Sequence, residues 1–282
     1  MRIGVGLPTS TPPLGARHRG RELLAWATGA EAGPFSSLGV TDRLVYDCAD
    51  PMVALAAAAA VTTRLRLVTM VVIGPIRPAA VLAAQAASLD ALSGGRVTLG
   101  VSLGARPDDY DAAGASWRGR GRRLSDQLAA MRDIWEGTTV GPRPASAGGP
   151  DLLVGGGSGA AFLRAARHAD GYVHGGGPPR AFGGAAERAR AAWADAGRPG
   201  APQLWGQSYF SLADPDAGAA YLRHYYAFTG PFAERVAAGL LNSPNALREQ
   251  VSGYAEAGCD ELVLLPATSD PSELDRLADV LS

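Results

Sequence analysis

Two glycine runs are the places where this backbone could meet an anion: Gly155-Gly156-Gly157-Ser158-Gly159, and, after one helix and a short strand, His174-Gly175-Gly176-Gly177. The first run leads straight into the helical stretch Ala160–Ala169. Unpaired N–H groups and the positive end of the helix dipole therefore converge where a phosphate could sit. Glycine lets the backbone approach such a group closely, and Ser158 adds a hydroxyl donor. A tight turn without a ligand is the competing reading. Gly155, Gly157 and Ala160 also satisfy the G-x-G-x-x-A dinucleotide pattern, but the acidic residue downstream, Asp170, precedes its strand instead of ending it, which disfavours a Rossmann nucleotide site.

Other side chains with chemical potential fall where strands end. Asp42-Arg43 follows the second candidate strand, and arginine cannot act as a general base at ordinary pH. It can clamp an anion, with a salt bridge to Asp42 or Asp47 as the plainer alternative. His174 closes the sixth strand beside the glycine runs and is the best-placed base, against the alternative of a neutral imidazole hydrogen-bonded within the turn. His18 lies in the long first loop, where a lid or substrate contact is expected. His168 reads as structural. His224, Tyr225 and Tyr226 read as a helical insert packing over the site after the seventh strand. Trp205, Gln207 and Tyr209 alternate along that strand and share a side; Trp205 reads as core, whereas Tyr209, near the strand end, could reach substrate. Four dispersed histidines without HExxH-type spacing predict no metal site. Arg118, Arg120, Arg122 and Arg123 read as a solvated face or partner contacts, or as a grip on an anionic polyglutamate tail.

The elements that must position these residues follow one rhythm. Val61 to Gly104 reads as strand, turn, helix, Gly-Gly turn and strand. Leu65–Ile73 is an apolar, β-branched run, the pattern of a strand buried on both faces of a parallel sheet. Pro78–Leu92 has helical spacing, and Gly94-Gly95 stops it as a C-cap. Eight strands are predicted: Arg2–Leu7, Leu38–Leu44, Leu65–Ile73, Arg96–Leu103, Asp151–Val154, Gly171–His174, Gln203–Leu212 and Glu261–Leu265. Helices are predicted over Pro51–Val61, Arg122–Trp135, Ala160–Ala169, Ala181–Ala196 and Ala246–Ala257. Eight parallel strands with intervening helices in 282 residues call for a (β/α)8 TIM barrel, an α/β fold spanning 1–282 as one domain with insertions at the C-terminal face. An open doubly wound sheet is the competing architecture. The stretch from Gly137 to Pro150 reads as cover for a barrel end.

Composition narrows the chemistry. All 26 basic side chains are Arg, so Schiff-base chemistry, pyridoxal phosphate anchoring and P-loop phosphate gripping, which need a lysine amine, are excluded. A net charge of −1 gives no basic face for nucleic acid or anionic lipid. Cys48 and Cys259 are too few for a disulfide framework or thiolate cluster. No signal-like start and no spanning apolar run are seen, which predicts a soluble, unprocessed, cytoplasmic protein.

The order of segments resembles the luciferase-like flavin-dependent oxidoreductases. The matching pieces are GVTDRLVY (39–46), AAVTTRLRLVT (59–69), the PIRPAAVLAAQAASLDALSGGRVTLGVSLG run (75–104), DDYDAAGASWRGRGRRLSDQLAAMRDIW (108–135), PDLLVGGGSGAAFLRAARHADGYV (150–173) and AGCDELVLLP (257–266). The resemblance implies a flavin, FMN or the 8-hydroxy-5-deazaflavin coenzyme F(420), across the barrel mouth with its phosphate on Gly155–Ser158. It also implies that the ring packs against Val71, Val72 and Ile73 at the end of the third strand and near Ser102 on the fourth. A non-proline cis peptide, common there in deazaflavin users, is expected at Val72–Ile73. Many relatives carry Asp-His after the second strand, where this chain has Asp42-Arg43; the arginine could hold an anionic substrate or a reduced, anionic flavin.

Three activities are compatible with that resemblance. The first is monooxygenation with reduced FMN supplied by a partner flavin reductase, the cofactor carrying the chemistry. The second is hydride transfer from reduced deazaflavin to an alkene, imine or carbonyl. The third is flavin binding without catalysis. A small-molecule substrate and a homodimer are expected by the same likeness.

Overall fold

The computed structural model describes residues 1–11, 19–137 and 139–282. Eight strands close into a parallel barrel in chain order, β1 to β8, with β8 paired back onto β1. They are β1 (Arg2–Gly6), β2 (Ser37–Val40), β3 (Arg66–Ile73), β4 (Val97–Ser102), β5 (Asp151–Gly155), β6 (Gly171–Val173), β7 (Gln203–Phe210) and β8 (Glu261–Pro266). The helices are α1 (Arg19–Ala32), α2 (Pro51–Ala59), α3 (Ala79–Ser93), α4 (Pro107–Ala112), α5 (Arg120–Glu136), α6 (Gly159–His168), α7 (Pro179–Asp195), α8 (Pro215–Tyr225), α9 (Phe232–Ala238), α10 (Pro244–Glu256) and α11 (Ser272–Leu281). The fold is the (β/α)8 TIM barrel; the open sheet is excluded because no edge remains.

Alternation along the strands builds two cores. Val68, Met70, Leu153, Val173, Trp205, Val263 and Leu265 fill the barrel interior. Their neighbours Leu67, Val72, Leu99, Val101, Leu152, Val154, Leu262 and Leu264 point outward and bury against the helical ring. Helix ends follow local chemistry. Asp50 accepts from the N–H groups of Met52 and Val53 ahead of Pro51, and α3 stops at Gly94, whose φ of 71° is left-handed as a C-cap requires. The lower, N-terminal rim is tied by ion pairs such as Arg66–Asp151 at 2.6 Å and Arg2–Glu261 at 2.9 Å. Ser146, in the Gly- and Pro-rich stretch before β5, bonds Asp90 of α3, so this stretch braces the helical layer ahead of the strand.

Several expectations shift. β2 ends at Val40 and not at Leu44, because Thr41–Arg43 turn away into the mouth; β7 ends at Phe210 and not at Leu212, where Ser211 begins a bonded turn to Glu273. The non-proline cis peptide is Met70–Val71 instead of Val72–Ile73, and it falls where the β3–β4 register shifts between Thr69 and Val72. After β7 comes the expected helical insert, α8, a single 3₁₀ turn Ala227–Thr229 and α9. Among the described residues no helix is long and apolar enough to cross a membrane.

Candidate functional site

At the C-terminal face the glycine turn after β5 forms one wall of a cavity of about 360 Å³. Gly155, Gly156, Gly157 and Ser158 line it together with Val71, Ser102, Gly104, Val173 and His174. Ser158 caps α6, its Oγ accepting from the Ala161 N–H at 3.3 Å. The first N–H groups of α6 have no carbonyl one turn earlier to bond. Gly156 has φ 134°, and a Cβ there would lie 2.9 Å from the Ala161 Cβ, so only glycine fits. At Gly157, by contrast, a Cβ would meet nothing within 4 Å; its missing side chain leaves open space before the helix.

The end of β3 and β4 supplies the opposite wall. Val71 and Ser102 face the mouth, and the Ser102 Oγ accepts from the Gly104 N–H at 3.2 Å. Ile73 lines the adjoining chamber, its N–H held by Asp42 Oδ2 at 2.8 Å. Val72 does not belong to this wall. The register shift between Thr69 and Val72 breaks the alternation that turns Val68 and Met70 inward, so Val72 faces outward, fully buried in the helical layer.

Next to this cavity is a smaller chamber of about 140 Å³, roofed by the insert. Arg43 is its buried cation. The guanidinium stacks over Tyr46 (4.9 Å), Tyr225 (4.6 Å) and Phe228 (5.5 Å) and donates to the Tyr225 carbonyl at 3.1 Å. Its carboxylate partner is Asp109, 3.9 Å away, and not Asp42 or Asp47 as the sequence suggested. Asp42 is turned to Arg77 at 2.8 Å, and burial raises its pKa despite that partner. Asp109 Oδ1 accepts from the N–H groups of Leu44 and Val45, which fixes the Arg43 loop from below. Arg43 Nε and Asp109 Oδ2 are both buried without a hydrogen-bond partner.

His174 follows β6 and lines the cavity at the glycine turn, away from Arg43. Its Nδ1 is 3.4 Å from the Tyr172 hydroxyl and its Nε2 has no partner. Burial pushes the imidazole below its ordinary value, so it is neutral at neutral pH. Tyr209 reaches both the Arg43 chamber and a larger cavity beside it, its hydroxyl 3.1 Å from that of Tyr226. Trp205 is core, fully buried in the barrel. His18 lies outside the described residues. His224 bonds the Tyr46 hydroxyl through Nδ1 at 2.8 Å, and His168 ends α6. Of the arginine cluster, Arg120 stacks on Trp117 at 3.5 Å and Arg123 donates to the Pro75 carbonyl at 3.3 Å.

Sequence reasoning missed Asp109 and Arg106, both lining the Arg43 chamber, and Phe228, whose ring lies 5.5 Å from the Arg43 guanidinium and 4.8 Å from that of Arg106. The Asp108-Asp109-Tyr110 triplet after β4 was the available signal. The residues present fit a phosphorylated tricyclic ring system. A glycine cradle with free N–H groups meets one end, and a wall of Val71 and Ser102 meets the other, in a cavity within the usual range for small-molecule sites.

A family model described as luciferase-like monooxygenase matches residues 1–261. A protein of Mycobacterium tuberculosis described as uncharacterised is 36% identical over 189 residues, 54% of this chain and 65% of that protein, so the likeness spans a little under two thirds of the relative's length. Among solved structures, the monooxygenase RslO1 from Streptomyces bottropensis superposes with a TM-score of 0.79 at 23% identity, covering 100% of this chain and 97% of the other. An F(420)-dependent secondary alcohol dehydrogenase bound to an F(420)–acetone adduct superposes with a TM-score of 0.78 at 18% identity, covering 99% and 97%. At these identities the two structures speak to the fold.

Proposed function

We infer what this chain does from the premise that it belongs to the luciferase-like monooxygenase family, whose model matches residues 1–261: it is an oxidoreductase, and its cofactor is a flavin. One observation carries the reading. The Gly155–Ser158 cradle and the Val71–Ser102 wall face each other across one cavity. In this reading the cofactor phosphate takes the free N–H groups at the start of α6, and its ring lies over Val71 and Ser102, next to the Arg43 chamber.

Reduced FMN, delivered by a separate flavin reductase, would supply the electrons with which oxygen is activated for transfer of one atom to a small organic substrate. The chain's own residues do the rest. Tyr209, Tyr225, Tyr226 and Phe228 wall the chamber and exclude water. Arg43, locked among three rings, presents a fixed positive charge that attracts an anionic group of substrate or reduced cofactor. The Tyr209 and Tyr225 phenols are held well above their ordinary pKa by burial, so both remain protonated and donate only weakly.

A second reading, hydride transfer from reduced F(420), draws on the Tyr209–Tyr226 hydroxyl pair at 3.1 Å, the donor nearest the chamber that could protonate a reduced carbonyl. Titrating the purified protein with FMN and, separately, F(420), each oxidised and reduced, distinguishes the two by fluorescence. Tighter binding of reduced FMN, with oxygen uptake on adding substrate, is expected. Selective F(420) binding without oxygen uptake moves the assignment to hydride transfer, and binding of neither removes the flavin reading.

A further inference from the structure

Beyond the glycine cradle and the Arg43 chamber lies a third and larger cavity, about 840 Å³, between the loop after β6 and the insert after β7. It touches the cradle cavity at Gly175 and Gln207 and the Arg43 chamber at Gln207, Tyr209 and Tyr226, so a ligand in it would reach the same reactive region. Its walls combine two kinds of surface. Tyr209, Tyr226, Val236, Leu240 and Leu241 give it an apolar and aromatic body. Arg180, in the first turn of α7, and Arg235, in the last turn of α9, stand at its edge.

These two arginines differ from those held by carboxylates. Arg2, Arg43, Arg66, Arg77, Arg106, Arg132 and Arg223 each lie within 4 Å of a carboxylate. Arg180 and Arg235 have neither a carboxylate nor a hydrogen-bond partner among the described residues, although Glu249 lines the same cavity. Both are exposed, so solvent pays for their charge in the empty protein, and both are free to be recruited. Two guanidiniums carried on separate helices at the edge of one cavity offer an anion charge-assisted hydrogen bonds.

We propose that this cavity binds the substrate and that Arg180 and Arg235 select an organic anion, a molecule with an apolar or aromatic body and a carboxylate or phosphate head. The proposal deepens the flavin-dependent reading and rests on it for the word substrate, but the anion site itself does not. The body lies along Tyr209, Tyr226 and Leu240, and the head is held at the two arginines. The reactive end then points through Gln207 and Tyr209 toward the ring side.

The test compares 4-phenylbutyrate, 4-phenylbutyl phosphate and 4-phenylbutan-1-ol by isothermal titration of the intact protein. The two anions are expected to bind at least about tenfold more tightly than the alcohol, the ratio one charge-assisted contact provides. The relative affinities of the carboxylate and the phosphate identify the head group. Arg180→Gln/Arg235→Gln should bring both anions to the affinity of the alcohol, and Arg180→Lys/Arg235→Lys should restore much of the preference. FMN affinity should be the same in all three proteins. Equal binding of anions and alcohol to the natural protein, or a preference that survives the Gln pair, overturns the proposal. Parallel loss of FMN affinity also overturns it, since the arginines would then serve the cofactor. A natural protein that binds no flavin yet keeps the anion preference retains the site and loses the flavin reading.

Discussion

Arg43 meets Asp109 only because β2 and β4 are separated in the barrel by β3 alone, so both strand ends project into one chamber. Nothing in the local sequence around either residue points to the other, and sequence proximity favours the nearer carboxylates, Asp42 and Asp47. The pairing sets a sharp expectation. Replacing Arg43 with Ala leaves the Asp109 carboxylate buried without a compensating charge and strips a cation from three rings. A loss of about 3 kcal/mol of stability is expected in urea unfolding, together with a large fall in turnover at unchanged affinity for oxidised FMN. A fully active, equally stable variant would make the residue incidental. His174 carries a different prediction. Burial lowers its folded pKa below the ordinary 6.5, so the folded state prefers the neutral ring. Its contribution is complete above pH 6.5 and is lost as the pH falls through the lowered folded value. Stability should therefore decline below pH 6.5, and His174→Gln should decline less steeply; identical profiles would mean that the ring is as solvated folded as unfolded.

At the scale of elements the sequence was most explicit where punctuation was strong. Gly94 and Gly95 close α3 as expected and the β-branched run gives β3, whereas α7 and α10 begin at Pro179 and Pro244, two residues before the expected starts at Ala181 and Ala246. It was least explicit where a strand end turns inward. β2 and β7 end earlier than expected because an apolar residue, Leu44 or Leu212, stands past each strand's end. Their departure is decided by tertiary hydrogen bonds, such as Leu212 N–H to Glu273 at 2.8 Å. Val72 departs for another reason: the register shift between Thr69 and Val72, which leaves no mark in a continuous apolar run, reverses which residues point in. Close backbone approach gives this scale its prediction. A Cβ on Gly171 would lie 2.3 Å from the Gln203 carbonyl oxygen, so Gly171→Ala must part β6 from β7 and should cost about 2 kcal/mol or more. Gly184, inside α7 with open space around its Cβ position, should instead gain about 0.5 kcal/mol as Ala. Equal midpoints for both variants in thermal unfolding would contradict the packing described here.

For the whole molecule, the eight-strand count and its order were legible because each βαβ unit repeats one hydrophobic rhythm, and closure followed from the count. The site was legible only in part. The glycine cradle is a local motif and was visible; the chamber around Arg43 draws on β2, β3, β4, β7 and the insert, and the cavity lined by Arg180 and Arg235 on the loop after β6, α7, β7, the insert and α10, so both exist only once the barrel closes. The central claim is that a flavin phosphate rests on the turn after β5. It is tested most directly by the dissociation constant of FMN, read by fluorescence quenching, for the natural protein and for Gly157→Asp. Since a Cβ at Gly157 meets nothing within 4 Å, the variant should fold with an unchanged thermal midpoint. Its carboxylate would stand where the phosphate belongs, and the account predicts a loss of affinity of about a hundredfold or more, the effect of about 3 kcal/mol of charge repulsion and lost contacts. Affinity equal to that of the natural protein would contradict it.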